Sequence, residues 1–400
     1  MNFPPMMTEG SSRAFKFASS LPALGWEPVV VAFHSVSGPE LEEFPFDVHY
    51  VGQELSLQDF GAEQLSRCVH GLRQKKLSFP RRGGNVRSNA GAGENGWEKK
   101  ARTVAEQVLH DNPDIEMIYA QAPPFAPHRI ALELSGKYHR PVMFDCIGPF
   151  AVDKLEMTIM HSGHSVTMPS RELKEFFLRK YRGELSHDDI SIIKNCYDPE
   201  TLQALGAGHE AGALMRWVFH IGMTNGSDLK HFFYGLSAFV KSQLAVNGIF
   251  SFAFTGSGYD SAMRYLKKYG LEDLVEAGPV CSHREELELC LRADIFCVVL
   301  GGSCGAEVFV PERLYDVLGM NASLAGVLPD GLAKQLILEA GGRTASIGNS
   351  TEIAGLLQDT LHLWYSGQLP AVADAAVSNY HIRSTMQEFL REMAARLPLV

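Results

Sequence analysis

Between residues 256 and 342 the sequence alternates short apolar runs with amphipathic ones, in the order FTGSGYD, VEAGPVCSHREELELCLRADIFCVVL, VPERLYDVL and LPDGLAKQLILEAGG. Runs such as DIFCVVL, apolar throughout and bounded by turn residues, read as strands buried on both faces. The stretches between them carry a helical period. Polar residues gather where each strand gives way to a helix. In an open α/β sheet that edge is where ligands are held.

The same alternation fills the chain. PVVVAF (28–33), EMIYAQ (116–121), PVMFD (141–145), SVTM (165–168) and SIIK (191–194) form a first series of strands. RWVFHIG (216–222), FSFAFTG (250–256), DLVEAG (273–278), DIFCVVL (294–300), SLAGVL (323–328) and RTASIG (343–348) form a second. Two such series predict an α/β protein with two Rossmann-like domains, at 1–205 and 206–375. The Gly- and Ala-rich DPETLQALGAGHEAGALM marks the junction, near 200–215. Residues 11–24 predict a helix with Phe15, Phe17, Ala18, Leu21 and Leu24 at helical spacing, capped by Ser11 or Ser12 and closed by Gly25. Residues 78–97 (SFPRRGGNVRSNAGAGENGW) read as a surface loop with local positive charge from Arg81, Arg82 and Arg87. The alternative there is an acceptor-side flap that touches a phosphate or an anionic lipid surface. The last segment, 376–400, holds an amphipathic helix with Ile382, Met386, Phe389, Leu390 and Met393 on one face.

At 400 residues the chain is long enough for two cores, and a 20% charged fraction fits a globular protein. A net charge of −10 argues against nucleic acid as a partner. No apolar run reaches the ~20 residues of a membrane span, and MNFPPMMTEG lacks the features of a signal peptide. The expected location is the cytoplasm, with peripheral contact at the inner membrane face as an addition. Seven cysteines without a CxxC pair fit reduced thiols, with Cys290 and Cys297 as core residues. His161 and His164 form an HxxH pair without an acid or Cys partner, so no metal site is expected.

Several residues could serve a diphosphate ligand. Arg313 and Asp316 in VPERLYDVL are three apart and share a helix face. The arginine suits a diphosphate and the carboxylate suits ribose hydroxyls. The competing reading is an ordinary i,i+3 ion pair. Gly222 ends a strand ahead of MTNGSDLK, where a glycine lets backbone approach a phosphate. The alternative is a loop whose Ser227 or Asp228 starts a helix. In SHREE, Ser282 and Glu285 have capping-box spacing. His128 reads as a structural histidine.

These motifs resemble those of the retaining family 4 glycosyltransferases of the GT-B fold (glycosyltransferase group 1 type). In that family the helix of VPERLYDVL commonly reads VPGKLYEYL, with Arg313 and Asp316 standing here for its donor-binding Lys and Glu. The resemblance implies two domains facing a central cleft, with a C-terminal helix crossing back to the first. It implies donor contacts from Gly222, Thr224, Lys230, Pro279, Val280, Arg313 and Asp316, with GPV (278–280) cradling the base. Glu307 would approach the sugar, one residue off the family's spacing of acids. YAQAPPFAPHRIALELSGKYHRPVMFDCIGPF (119–150) matches the family's first-domain unit and places Asp145 at the cleft as the second catalytic candidate. There the family's Asp-Phe-Arg-Asp-Pro-Trp ending has become Asp145-Cys146-Ile147-Gly148-Pro149-Phe150. Phe79-Pro80 and Trp97 fit the spacing before that unit. Gly10, Ser11 and Ser12 match the phosphate-facing loop, although the family's chains begin with a buried strand that is not seen ahead of it here.

The implied function is sugar transfer from a UDP-, GDP- or other nucleotide sugar to a glycan, lipid-linked or small acceptor. It needs no metal and no separate cofactor. The alternative is a non-catalytic nucleotide-sugar-binding homologue. A nucleotide-sugar epimerase would need cleft acids and histidines that are not identifiable, and a Rossmann dehydrogenase lacks GxGxxG after a strand.

Overall fold

The computed structural model describes residues 3, 10–35, 44–53, 96–148, 153–206, 214–242, 249–276, 278, 282–303, 305–320 and 322–397. Helix α1 (Ser11–Ser20) leads to β1 (Val29–Ser35), which pairs in parallel with β2 (Asp47–Gln53). The chain continues through α2 (Gly96–Asp111), β3 (Ile118–Ala122), α3 (Ala126–Tyr138), β4 (Val142–Cys146), α4 (Asp153–Met160), β5 (Ser165–Met168), α5 (Arg171–Lys180), β6 (Ser191–Ile192) and α6 (Pro199–Ala204). A second series follows with β7 (Met215–Ile221), α7 (Gly226–Ser242), β8 (Phe250–Thr255), α8 (Tyr259–Tyr269), α9 (His283–Leu291) and β9 (Ile295–Val299). It continues with α10 (Glu312–Leu318), β10 (Ser323–Val327), α11 (Leu332–Glu339), β11 (Arg343–Ala345) and α12 (Ser350–Tyr365), before α13 (Asp374–Ser378) and α14 (Ile382–Ala394).

All described strands run parallel to their neighbours, as two Rossmann-like halves require. The second half is one sheet of order β11–β10–β9–β7–β8, and its central strand β9 is buried at every position. Trp217, Phe219, Phe252 and Phe254 cover one face and pack on Phe232 and Phe233 of α7. Helix α14 then returns to the first half. Its Met386, Phe389 and Met393 bury against Phe17, Met143 and Ile193, and Glu392 accepts a hydrogen bond from Ser165 Oγ at 2.5 Å. The amphipathic face read from the sequence therefore packs on the first domain.

Three local expectations need correction. DLVEAG is not a strand: Glu272–Leu274 form a 3-10 turn, and only Val275 bridges to Phe252, on the free edge of β8. Strand β2 was missed because DVHYVGQ alternates polar with apolar residues, as suits an edge strand covered on one side. Helix α1 starts at Gly10, in the left-handed region at φ 93°, with no side-chain cap; Ser12 Oγ turns to Asp316 instead.

Among the described residues the first-half strands form two separate sets, β1–β2 and β3–β4–β5–β6. An apolar cavity of about 140 Å³ lies where Val29 of β1 approaches Ile118–Ala120, floored by Ala101, Ala105 and Val108 of α2. Empty apolar space forfeits dispersion contacts, so partial filling stabilises. Ala105→Leu should raise stability by about 1 kcal/mol, read by chemical denaturation. A loss of stability would show that the cavity cannot admit the larger side chain.

Candidate active site

The second sheet reverses its strand order between β7 and β9, since β7 is followed in sequence by β8 on one side and flanked by β9 on the other. Loops leaving adjacent strands at such a point diverge and open a crevice at the carboxyl edge. Gly222 follows β7 there, and its amide donates to Val299 O at 3.1 Å. Gly301 follows β9, and its amide donates to Met223 O at 3.0 Å. A Cβ on Gly301 would run into the Asp228 carboxylate and the Met223 carbonyl, so only glycine lets the two loops close up. Asn225 caps the start of α7, with its side-chain oxygen accepting from the amides of Ser227 (2.8 Å) and Asp228 (3.0 Å). The N-cap is thus neither Ser227 nor Asp228, although Asp228 completes the cap by accepting from the Asn225 amide at 3.3 Å. Thr224 is half-buried beside this turn, and Lys230 is exposed in the second turn of α7.

A second constellation lies where α1 of the first half meets α9 and α10 of the second. Arg313 NH1 donates to Asp316 Oδ2 at 2.7 Å, and NH2 donates to Glu286 Oε2 at 2.6 Å and to His283 Nδ1 at 3.1 Å. An arginine cannot accept, so His283 Nδ1 carries no proton. Burial, and then Arg313, push the His283 pKa down to about 3. Burial opposes the charge on Glu286, but Arg313 and His220 outweigh it and hold the carboxyl below its usual range. From α1, Lys16 Nζ pairs with Asp316, and the Arg13 amide donates to Glu312 Oε2 at 3.3 Å.

Arg13 also turns into its own domain. Its Nε donates to Asp145 Oδ2 at 2.7 Å and NH2 to Asp145 Oδ1 at 3.1 Å, with further bonds to Ile193 O, Lys194 O and Asn195 Oδ1. Tyr119 and Thr167 hydroxyls complete the carboxylate at 2.6 and 2.8 Å. Burial works against the charge of Asp145, and Arg13 with these donors outweighs it.

The residues singled out from the sequence thus fall into separate places. Gly222, Thr224 and Lys230 lie along the β7–α7 unit, at the end of the strand, in the loop and in the second turn of the helix. Gly10, Ser11 and Ser12 begin α1, with Ser12 against Asp316. Arg313 and Asp316 are 6% and 2% exposed, and both Arg313 terminal nitrogens bond within the protein rather than standing open to a diphosphate. Asp145, expected at the cleft, is fully buried under Arg13, so its place is that of a support. Glu307 is exposed in the loop after β9 and accepts from the Gly305 amide at 3.0 Å. Pro279 and Val280 lie outside the described residues, as do Phe79-Pro80 and the arginines at 81, 82 and 87. Ser282 and Glu285 form the capping box of α9. His128 is a core histidine whose Nε2 donates to Ala120 O at 3.0 Å. Sequence reading missed Arg13, Lys16, His283 and Glu286. The one available signal was two basic residues in a helix with no acidic residue.

No family model matches this sequence, and no curated protein matches it. Solved structures do resemble it over nearly its whole length. A sucrose-phosphate synthase from Thermosynechococcus elongatus aligns with TM-score 0.61 and 13% identity, covering 97% of this chain and 94% of that one. A glycosyltransferase from Rickettsia africae aligns with TM-score 0.57 and 12% identity, covering 94% and 92%. Anabaena HepE, solved in complex with UDP and glucose, aligns with TM-score 0.54 and 12% identity, covering 87% and 86%. At such identities the likeness establishes the two-domain GT-B fold and nothing finer. No helix among the described residues is long and apolar enough to cross a membrane.

Proposed function

We propose that this chain is a glycosyltransferase that takes its sugar from a nucleoside diphosphate donor and passes it to a hydroxyl-bearing acceptor. The observation that carries the reading is the switch point of the second sheet, between β7 and β9. There Gly222 and Gly301 let the loops after β7 and β9 pack closely, and α7 begins, with Lys230 exposed in its second turn. The likeness to a structure holding UDP and glucose supports the same reading. As the sugar–phosphate bond breaks, negative charge grows on the diphosphate oxygens. The α7 dipole and Lys230 would offset that charge. Asp316 would hold the ribose hydroxyls, Arg313 would fix that carboxylate, and Pro279 and Val280 would flank the base. Glu307 would face the sugar from the loop after β9. A retaining course, with a leaving oxygen taking the acceptor proton on the same face, needs no further side-chain nucleophile.

Lys230 gives the clearest test because it is exposed, so its removal leaves the core intact. Lys230→Ala should weaken UDP binding at least tenfold in calorimetry while the melting temperature stays unchanged. Full affinity in that variant would remove Lys230 from the site. Asp316→Asn should lower donor hydrolysis and transfer alike, and UDP binding without turnover on any acceptor would favour a non-catalytic binding protein.

A further inference from the structure

Helix α1 belongs to the first half, yet three of its residues engage α10 of the second. Lys16 Nζ pairs with Asp316 Oδ1, Ser12 Oγ lies 3.5 Å from Asp316 Oδ2, and the Arg13 amide reaches Glu312. Phe15 adds an edge contact to the His283 ring at 6.2 Å between centroids. Ser12, Arg13, Lys16, Glu312, Arg313 and Asp316 are all at most 8% exposed. Both Asp316 oxygens are therefore occupied, one by Lys16 and the other by Arg313 and Ser12. We infer that these contacts form an interdomain latch that competes with a bound nucleotide for Asp316, so that nucleotide binding and release of α1 from α10 are one linked equilibrium. The ligand half of this inference rests on the function proposed above; the latch itself does not.

The charges favour competition. Three cations, Arg13, Lys16 and Arg313, face four carboxylates, those of Asp145, Glu286, Glu312 and Asp316. A diphosphate adds further negative charge to a cluster already one charge negative. Asp316 is 2% exposed beneath α1, so a ribose diol reaches it only when Lys16 or Ser12 withdraws. Linkage makes the coupling reciprocal: nucleotide binding opens the latch, and weakening the latch tightens the nucleotide, by at most the same factor.

Lys16→Met tests this, because it keeps most of the aliphatic stem and removes the charge. Lys137→Met is the control, since Lys137 pairs with Glu106 on the exposed surface of the first half. Hydrogen exchange of the free proteins should quicken in α1 and α10 in Lys16→Met alone. Calorimetry should show UDP bound about fivefold more tightly by Lys16→Met than by wild type or control. Unchanged exchange in both helices overturns the latch, and weaker UDP binding overturns the competition by making Lys16 a donor ligand. Absence of UDP binding in all three proteins, with quickened exchange, overturns the donor reading and the linkage but supports the latch. Should Lys16→Met fail to fold, Ser12→Ala reads the same two quantities with a smaller expected change of about twofold.

Discussion

Asp145→Ala is expected to destabilise the protein by about 3–5 kcal/mol, the usual cost of stranding one member of a buried ion pair. Arg13 would keep its charge at 2% exposure while losing two of its bonds. The hydroxyls of Tyr119 and Thr167 would lose their acceptor as well. The melting temperature should fall by on the order of 10 °C in a thermal scan. The double replacement Arg13→Met with Asp145→Leu should recover most of the loss, because apolar groups of similar volume need no partner. A single variant that melts within about 2 °C of wild type would mean that the pair stabilises nothing, and the role of Asp145 as support for Arg13 would fall with it.

Strands β4, β5, β8, β9 and β10 were legible because every residue in them is buried. Burial on both faces forces a continuous apolar run, which survives in the sequence whatever the tertiary context. Elements covered on one side only obey no such rule. β2 alternates, and DLVEAG is apolar enough to look like a strand while meeting the edge of β8 at a single bridge. The amphipathic period of α14 was equally legible, since one stripe of it must be covered.

The site divides along the same physical line. Gly222 and Lys230 lie close in sequence on one strand–loop–helix unit, so local pattern placed them together. The buried charge cluster has no local signature. Arg13 and Asp145 are 132 residues apart, and Ser12 and Asp316 are 304 apart. A charged residue in a sequence reads as exposed until its partner is known. The helix carrying Arg313 and Asp316 was recognised, but its surroundings were not: Asp316 bonds across to Lys16 and Ser12, and Arg313 bonds to Glu286 and His283 within the second half.

Acid should unfold this protein in a window set by histidines as well as carboxylates. His128 and His283 are buried and held neutral, with pKa values pushed from 6.5 to about 4 and about 3. Burial is the first cause in both. His128 also donates to Ala120 O, and His283 accepts from Arg313. Between pH 6.5 and about 4 the unfolded chain binds protons at these positions that the native protein refuses, so stability falls as pH falls. A depression of that size corresponds to on the order of 3 kcal/mol for His128. Asp145 and Glu286 act lower on the scale, since their folded pKa values are depressed. Their contribution is present above about pH 4.5 and is lost as pH drops towards those folded values. Denaturation midpoints measured at successive pH values should therefore begin to fall near pH 6.5, well before carboxylates alone would act. His128→Gln, whose amide can still donate to Ala120 O, should flatten the decline between pH 6.5 and 4. An identical decline in that variant would mean that His128 titrates freely in the folded protein, and its assignment as a neutral core histidine would be lost.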